Sequence, residues 1–378
     1  MLIQSLHLKD FLSFQDVEIE LGPVNVLIGP NGSGKSNVIN AIDFLRHCPD
    51  DLSSFVLNDG GAEQWIRNVA LAKVAALTIV CRLPDLFEYS ISFHSENRSP
   101  RIYLEGLVKL IDGQRSEEPV FIRSDEEFVF QGNPSFGLGN FKPSQAFLSQ
   151  YRNPSGNAVT QLSETLEKVR VYRDFKTTKG SDLRRGVYTT GAADPQLDPS
   201  GTNLAYALHE LDNQERLGAV NEFLAEFAPH YLGIKPRWVN GAWTLQLREA
   251  TLDRPTPTER ISDGTLKFLC LLAILLDPAP PPLICIDEPE TGLHPDAIAL
   301  VGRAIEEAEE RTQLIITTHS EALVSCFSDR PEAVIVCEKT LDNATTLKRQ
   351  SRGELDIWLE EYTLGDLWRR GVLGGNKW

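Results

Sequence analysis

The stretch from Val24 to Asn37 constrains this chain most. A short apolar run, Val24 to Ile28, ends in Gly29-Pro30-Asn31-Gly32-Ser33-Gly34-Lys35-Ser36, and the residues that follow, Asn37 to Ile42, have helical spacing. Strand, glycine-rich loop and helix in that order, with the spacing G-x-x-x-x-G-K-S, suit a loop that cradles phosphate. Gly29, Gly32 and Gly34 let the backbone turn tightly and bring its N–H groups close to phosphate oxygens. The helix directs its positive end at the same place. Lys35 reaches β- and γ-phosphates, and the Ser36 hydroxyl is suited to ligate Mg²⁺. A glycine-rich turn matching by chance is the alternative, and the strand and helix flanks argue against it. The residues predict a nucleoside triphosphate site formed by Gly29, Pro30, Asn31, Gly32, Ser33, Gly34, Lys35, Ser36 and Asn37.

The 378 residues suffice for one large domain or two ordinary ones, and 42% hydrophobic content suits a sizeable core. The longest apolar run, Phe268 to Leu276, is too short to span a bilayer. The N-terminus lacks the basic start and apolar centre of a signal peptide. Six cysteines are scattered without a C-x-x-C pair, and several lie in apolar patterns, so they read as buried free thiols. These features predict a cytoplasmic protein without membrane contact. The net charge is −16, so any contact with nucleic acid needs a local basic patch.

Leu2 to Leu8 and Val17 to Leu21 alternate as strands, and a helix is expected from Lys35 to His47. Strands are expected around Leu77 to Cys81, Tyr89 to His94, Arg101 to Ile111, Val120 to Ile122 and Phe128 to Gln131, with a loop over Gly132 to Asn140. Val159 to Val169 suits a helix and Val171 to Phe175 a strand. Lys176 to Thr202 lacks periodicity and reads as a mobile loop. Two amphipathic helices, Asn203 to Leu211 and Glu215 to Phe227, precede a hairpin signalled by Asn240-Gly241. The last third regains α/β character. A helix follows Asp263, buried-type strands run over Leu283 to Ile286 and Leu314 to Thr318, and a helix joins them. Ala333 to Cys337 and Thr345 to Lys348 form a strand pair, and two helical turns follow. No repeat or heptad run appears.

Three further groups carry chemistry. Asp287-Glu288 ends a buried strand, where α/β sheets place their ligands. The first acid suits Mg²⁺ and the second a general base for water; an N-cap pair is the alternative, but Pro289-Glu290-Thr291-Gly292 delays the next helix. His319 also ends a strand and suits contact with a γ-phosphate, against a purely structural role. Ser262-Asp263-Gly264-Thr265 precedes an apolar helix and reads either as a phosphate-binding turn or as an ordinary N-cap.

Gly29 to Ser36, Ser262 to Thr265, Leu283 to Pro295 and Ile315 to Ser320 occur in the order of the Walker A, signature, Walker B/D-loop and H-loop motifs, and the chain thereby resembles ABC-type ATPases. Leu8 to Phe14 and the form Glu-Pro-Glu-x-x-Leu-His-Pro narrow the resemblance to the branch of RecF, SMC proteins and OLD-type ATPases. Tyr362 to Trp368 with Gly374-Gly375 further resembles stand-alone bacterial "AAA family" ATPases. The resemblance covers both ends of the chain and is loose over Gly132 to Thr258. The signature reads Ser-Asp-Gly-Thr instead of Ser-Gly-Gly-Gln.

The resemblance implies an α/β fold: an ABC-ATPase-type head with a mostly parallel nucleotide-binding sheet, an N-terminal antiparallel β subdomain and a helical signature-motif subdomain. The corresponding segments are 1–131, an N-terminal lobe; 132–260, an insertion and arm; and 261–378, a C-terminal lobe. It also implies a homodimer that closes on ATP, each nucleotide lying between Walker A of one copy and Ser262, Asp263 and Gly264 of the other. Glu288 is then the general base, Lys35 and His319 act on the γ-phosphate, and Ser36, Asp287 and Gln150 face Mg²⁺. A basic segment with Arg170, Arg173, Lys176, Arg184 and Arg185 reads as a contact for nucleic acid, as a contact for a partner, or as a solvated loop or arginines that face nucleotide. Val336-Cys337-Glu338 resembles the start of a Toprim domain, but no Asp-x-Asp follows and roughly 40 residues remain, so no nuclease is expected in this chain. The expected function is Mg²⁺-dependent ATP hydrolysis coupled to a separately encoded effector, such as a Toprim-like nuclease, in phage defence or on DNA, with further assembly beyond the dimer open. A nucleotide-dependent scaffold with little turnover and a RecF-like DNA clamp are the alternatives.

Overall fold

The computed structural model describes residues 1–69, 72–124, 127–131, 141–153, 156–185 and 195–375. They fall into two compact units: Met1–Val169 with Ile335–Gln350 and Leu373–Trp378, and Arg170–Val334 with Ser351–Val372. The three segments drawn from the sequence are thus divided differently. Both units are discontinuous, because the chain leaves the first at Val169 and returns to it at Ile335.

In the first unit, β1 (Ile3–Phe11) and β2 (Phe14–Glu20) pair antiparallel, with Leu6 opposite Ile19 and Leu8 opposite Val17. β3 (Val24–Ile28) is buried at every residue, which accounts for its largely apolar character; the one polar residue, Asn25, bonds its side chain to the Gly22 backbone. α1 (Lys35–His47) follows the glycine-rich loop and buries Val38, Ile39, Ile42, Phe44 and Leu45. A short helix that the sequence pattern did not signal, α2 (Leu52–Asn58), is capped by Asp51, whose carboxylate accepts from the Ser54 N–H. An antiparallel meander follows: β4 (Val74–Arg82), β5 (Leu86–Glu96), β6 (Ser99–Ile111), β7 (Gln114–Arg115), β8 (Phe121–Ser124) and β9 (Phe128–Phe130). Its order is β2-β1-β4-β5-β6-β8-β9, with β7 on β6. Period-two alternation turns Leu77, Ile79, Tyr89, Ile91 and Phe93 inward. Phe11, Phe44, Trp65 and Phe93 meet there, with Phe44 stacked on Phe93 at 5.0 Å, and this cluster fixes α1 against the meander. α3 (Phe147–Gln150) and α4 (Ala158–Glu167) complete this stretch. The expected loop over Gly132 to Asn140 lies outside the described residues.

The second unit begins with β10 (Arg170–Tyr172) and the short α5 (Asp182–Arg185), followed by α6 (Leu204–Asn213) and α7 (Leu217–Phe227). β11 (Tyr231–Val239) and β12 (Ala242–Glu249) form the expected hairpin, and β13 (Thr256–Pro257) joins them. Asn240 and Gly241 have φ of 51° and 86°, as a two-residue hairpin turn requires. α8 (Asp263–Leu275) is apolar on all sides and almost wholly buried. β14 (Leu283–Asp287), α9 (Pro295–Ala308), β15 (Gln313–Thr317) and α10 (Glu321–Ser325) follow. β10, β14 and β15 are parallel, and Tyr172, Ile286 and Ile316 share a register. The chain then re-enters the first unit in the antiparallel pair β16 (Val334–Lys339) and β17 (Thr345–Arg349), in the order β3-β16-β17. It finishes in the second with α11 (Arg352–Leu359) and α12 (Leu364–Arg369).

The expectation of a mobile loop over Lys176 to Thr202 does not hold for its described residues. Leu183, Arg184 and Leu197 are buried. The Asp198 carboxylate accepts from the N–H groups of Ser200, Thr202 and Asn203 and from the hydroxyls of Ser200 and Thr202. Such a segment has no periodicity because polar side chains, not one apolar face, hold it. Residues 186–194 lie outside the described residues.

Candidate functional site

In the first unit the loop after β3 is held by contacts that the sequence pattern did not reveal. Gly34 has φ of 103°, and a Cβ there would collide with Thr345 and with Ser13 Oγ. Glycine is therefore required for space as well as for conformation. Thr345, fully buried on β17, donates its hydroxyl to the Ser33 carbonyl at 2.7 Å. Its oxygen meets Ser13 Oγ at 2.7 Å, and Ser13 Oγ in turn accepts from Asn37 Nδ2 at 2.7 Å. With Thr345 donating to a carbonyl and Asn37 donating to Ser13, the Ser13 proton must point to Thr345. One directional chain of hydrogen bonds thus fixes the loop from behind.

Lys35, at 5% exposure, turns its ammonium back to the carbonyls of Gly29 at 2.9 Å and Pro30 at 3.1 Å. The buried Ser33 hydroxyl has no hydrogen-bond partner among the described residues. An ammonium held by carbonyls of its own loop, beside an orphaned hydroxyl, suits exchange of these contacts for phosphate oxygens. A cavity of about 400 Å³ lies beside the loop, with Ser13, Asn37, Ile66, Arg67, Asn68 and Lys339 in its wall. Burial, reinforced by the Arg67 charge, pushes the Lys339 ammonium below its ordinary value. Arg67 and Lys339 were not singled out from the sequence, where neither stands in a motif.

In the second unit, Asp287 and Glu288 stand where β14 ends. The Thr317 hydroxyl on β15 donates to Asp287 Oδ1. The Glu288 N–H bonds to both the Thr317 carbonyl and its hydroxyl oxygen, each at 3.1 Å. Glu288 has φ of 48°, a left-handed conformation unusual for a side chain of this size and held here by the bonds to Thr317. Glu288 Oε1 lies 3.5 Å from His319 Nε2. Glu290 holds the His319 backbone, its Oε1 accepting from the His319 backbone N–H at 2.7 Å and from the Thr318 hydroxyl at 2.8 Å. Glu290 belonged to a quoted motif without an assigned role. The arrangement offers one carboxylate fixed by a hydroxyl, and a second carboxylate paired with an imidazole.

The Mg²⁺ expectation can be tested against donor chemistry. The Ser36 hydroxyl stands in the first turn of α1, and the Asp287 carboxylate is held by Thr317. Each offers oxygen, the donor type that suits a hard cation also taking oxygens from substrate phosphates. No group of three or more His, Cys, Asp or Glu suited to a metal site occurs among the described residues. Gln150 departs from its expected metal role. Its Nε2 donates to the carbonyls of Gln145, Ala146 and Lys142, and its Oε1 accepts from the Lys142 N–H at 2.7 Å. Both ends of the amide are committed to the turn before α3.

The turn Ser262-Asp263-Gly264 opens α8. Ser262 caps the helix, accepting from the Thr265 N–H at 3.1 Å, so the N-cap reading is correct as local structure. Ser262 and Asp263 are nevertheless exposed. Gly264 faces the Gly292 carbonyl, 3.2 Å from where a Cβ would stand. The basic segment does not behave as one surface. Arg173, Lys176 and Arg185 are exposed and Arg170 is half-buried, but Arg184 is buried. Its guanidinium donates to the carbonyls of Thr177, Thr258, Glu259 and Ile261 and to the Asp263 carboxylate. Arg184 is therefore withdrawn from any nucleic-acid contact, because five oxygens already take up its donors.

Fold and residues define an ABC-type P-loop ATPase head of the RecF, SMC and OLD kind. A family model described as "AAA domain, putative AbiEii toxin, Type IV TA system" matches residues 109–325, and one described as "AAA ATPase domain" matches residues 1–104. The first spans more than half of the chain, and the protein belongs to that family. Among curated proteins, the chain is similar to an OLD nuclease of Thermus scotoductus, 36% identical over 44 residues, or 12% of this chain and 8% of that protein. It is also similar to the DNA replication and repair protein RecF of a Nocardioides species, 37% identical over 76 residues, or 19% of this chain and 18% of that one. These matches thus span less than a fifth of either relative. Among solved structures, an Smc head bound to the C-winged helix domain of ScpA superposes with a TM-score of 0.56 at 16% identity, covering 93% of this chain and 99% of that one. This last likeness concerns the fold. Among the described residues no helix is long and apolar enough to cross a membrane.

Proposed function

We propose that the protein is a Mg²⁺-dependent ATPase whose active form is a pair of identical chains closed on two ATP molecules. The observation that carries this reading is the Glu288–His319 pair, 3.5 Å apart and set by Thr317 and Glu290 at strand ends. A carboxylate beside an imidazole suits a base that takes a proton from water while the imidazole meets the γ-phosphate. Lys35 gives up the Gly29 and Pro30 carbonyls for β- and γ-phosphate oxygens, and the Ser33 hydroxyl finds its missing partner there. Ser13, Arg67 and Lys339 line the cavity that receives the rest of the nucleotide. Ser36 in the first unit and Asp287 in the second would each offer an oxygen to Mg²⁺, which when bound would supply charge neutralisation on the phosphates. Each chain carries one Ser262–Gly264 turn, and its exposure supports engagement with the γ-phosphate on a second copy. Hydrolysis then separates the copies and drives a separately encoded effector, on DNA or in defence against phage; Arg173, Lys176 and Arg185 are exposed cations of the basic segment.

Replacing Glu288 by Gln removes the base and keeps size and hydrogen bonding. Phosphate release is expected to fall by about 10² to 10⁴, while an ATP-bound dimer accumulates on a sizing column. Equal phosphate release by wild type and Glu288→Gln refutes the assignment.

A further inference from the structure

The acid in the signature turn poses an electrostatic problem. Asp263 is the first residue of α8, where a carboxylate favours the helix dipole. The same position lies beside the turn assigned above to an incoming γ-phosphate, so a free Asp263 carboxylate repels the ligand. Arg184 answers it. This arginine is 5% exposed, whereas the Asp263 side chain to which it is paired is 60% exposed. Three of its carbonyl partners, Thr258, Glu259 and Ile261, lie immediately before Ser262, and the fourth, Thr177, lies on its own side at 2.6 Å. One guanidinium thus fixes the backbone leading into the turn and draws the carboxylate against itself. A planar fork with five donors can do both; a lysine cannot.

We propose that Arg184 is a positioning residue for nucleotide engagement, which holds the Ser262–Gly264 turn and cancels the Asp263 charge so that a phosphate borne by a second copy can approach. This rests on the composite-site reading of the proposed function. It assigns an internal role to a residue that the sequence places in a basic segment.

The test measures ATP-dependent dimerisation of the full chain by light scattering, in a Glu288→Gln background that holds the dimer. ATP binding to the single chain is followed in parallel by calorimetry, and folding by thermal unfolding. Arg184→Gln is expected to raise the ATP concentration for half-dimerisation by about ten-fold or more, because it leaves Asp263 charged and unpaired, with ATP affinity of the single chain unchanged. Adding Asp263→Asn is expected to recover most of that loss. A merely structural arginine gives no such rescue, since the carbonyls of Thr258, Glu259 and Ile261 stay unpaired in the double variant. Arg184→Lys, which keeps charge and loses the fork, should fall between wild type and Arg184→Gln. Wild-type dimerisation by Arg184→Gln, or loss without rescue by Asp263→Asn, overturns the inference and leaves the ATPase reading intact. Failure of the Glu288→Gln parent to dimerise with ATP overturns the composite-site reading itself.

Discussion

Thr345 offers a searching test of how the phosphate loop is held. It lies on β17, more than three hundred residues from Ser33, yet its hydroxyl donates to the Ser33 carbonyl and meets Ser13 Oγ, both at 2.7 Å, with the side chain fully buried. Thr345→Val keeps the shape and removes both hydrogen bonds. The Ser33 carbonyl loses a donor, and the Ser13 hydroxyl loses an acceptor while still receiving Asn37. A buried polar group left unpaired costs about 1–3 kcal/mol. With Ser13 able to reorient, the total is about 2–3 kcal/mol. Chemical denaturation should show that loss of stability. The loop that the hydroxyl holds is the one expected to cradle phosphate, so ATP affinity should fall too, about ten-fold for each 1.4 kcal/mol that falls on the bound state. Thr345→Ser keeps the hydroxyl and should retain most of the affinity. Thr345→Val with wild-type stability and wild-type ATP affinity refutes the claim that this chain of hydrogen bonds sets the loop.

Other outcomes follow from the same physics. Lys35→Ala is expected to lose ATP binding and, with it, ATP-driven dimerisation; a variant that still dimerises on ATP contradicts the two-chain site. Glu105 on β6 is fully buried among Tyr89, Arg123 and the Phe147 N–H. Burial pushes its carboxyl up, opposed by Arg123 and the Phe147 N–H. A carboxyl whose folded value is raised contributes stability that is complete below the ordinary value and lost as pH climbs through the raised one. The urea midpoint of wild type should therefore fall more between about pH 5 and about pH 8 than that of Glu105→Gln; an equal or smaller fall contradicts the assignment.

Much of this architecture was legible in the sequence because it rests on local pattern. β3, β14 and β15 are buried on both faces and read as largely apolar runs, and the Asn240-Gly241 turn needs two left-handed residues that its sequence favours. Asp287, Glu288 and His319 were visible as polar residues ending such runs. The support behind them was not. Thr345 lies far along the chain from the loop it holds, and Thr317 looks like an ordinary strand residue. Arg184 misled for a physical reason. Charge density in a sequence reports how many cations a segment carries, not whether backbone carbonyls have taken them up. Gln150 misled similarly, since its amide closes on a turn that has no sequence signature.

The account stands or falls on whether two copies share each ATP. Mixing two inactive variants tests this directly: Lys35→Ala, which cannot bind ATP, and Ser262→Arg, which cannot engage ATP across the interface. A mixed pair contains one site with an intact loop from the second variant and an intact turn from the first. An equimolar mixture is expected to recover turnover, up to about half that of wild type, since neither variant pairs with itself on ATP and one of the two sites in each mixed pair is whole. Each variant alone should stay inactive. A mixture as inactive as its components, with mixed pairs shown to form, contradicts the shared site.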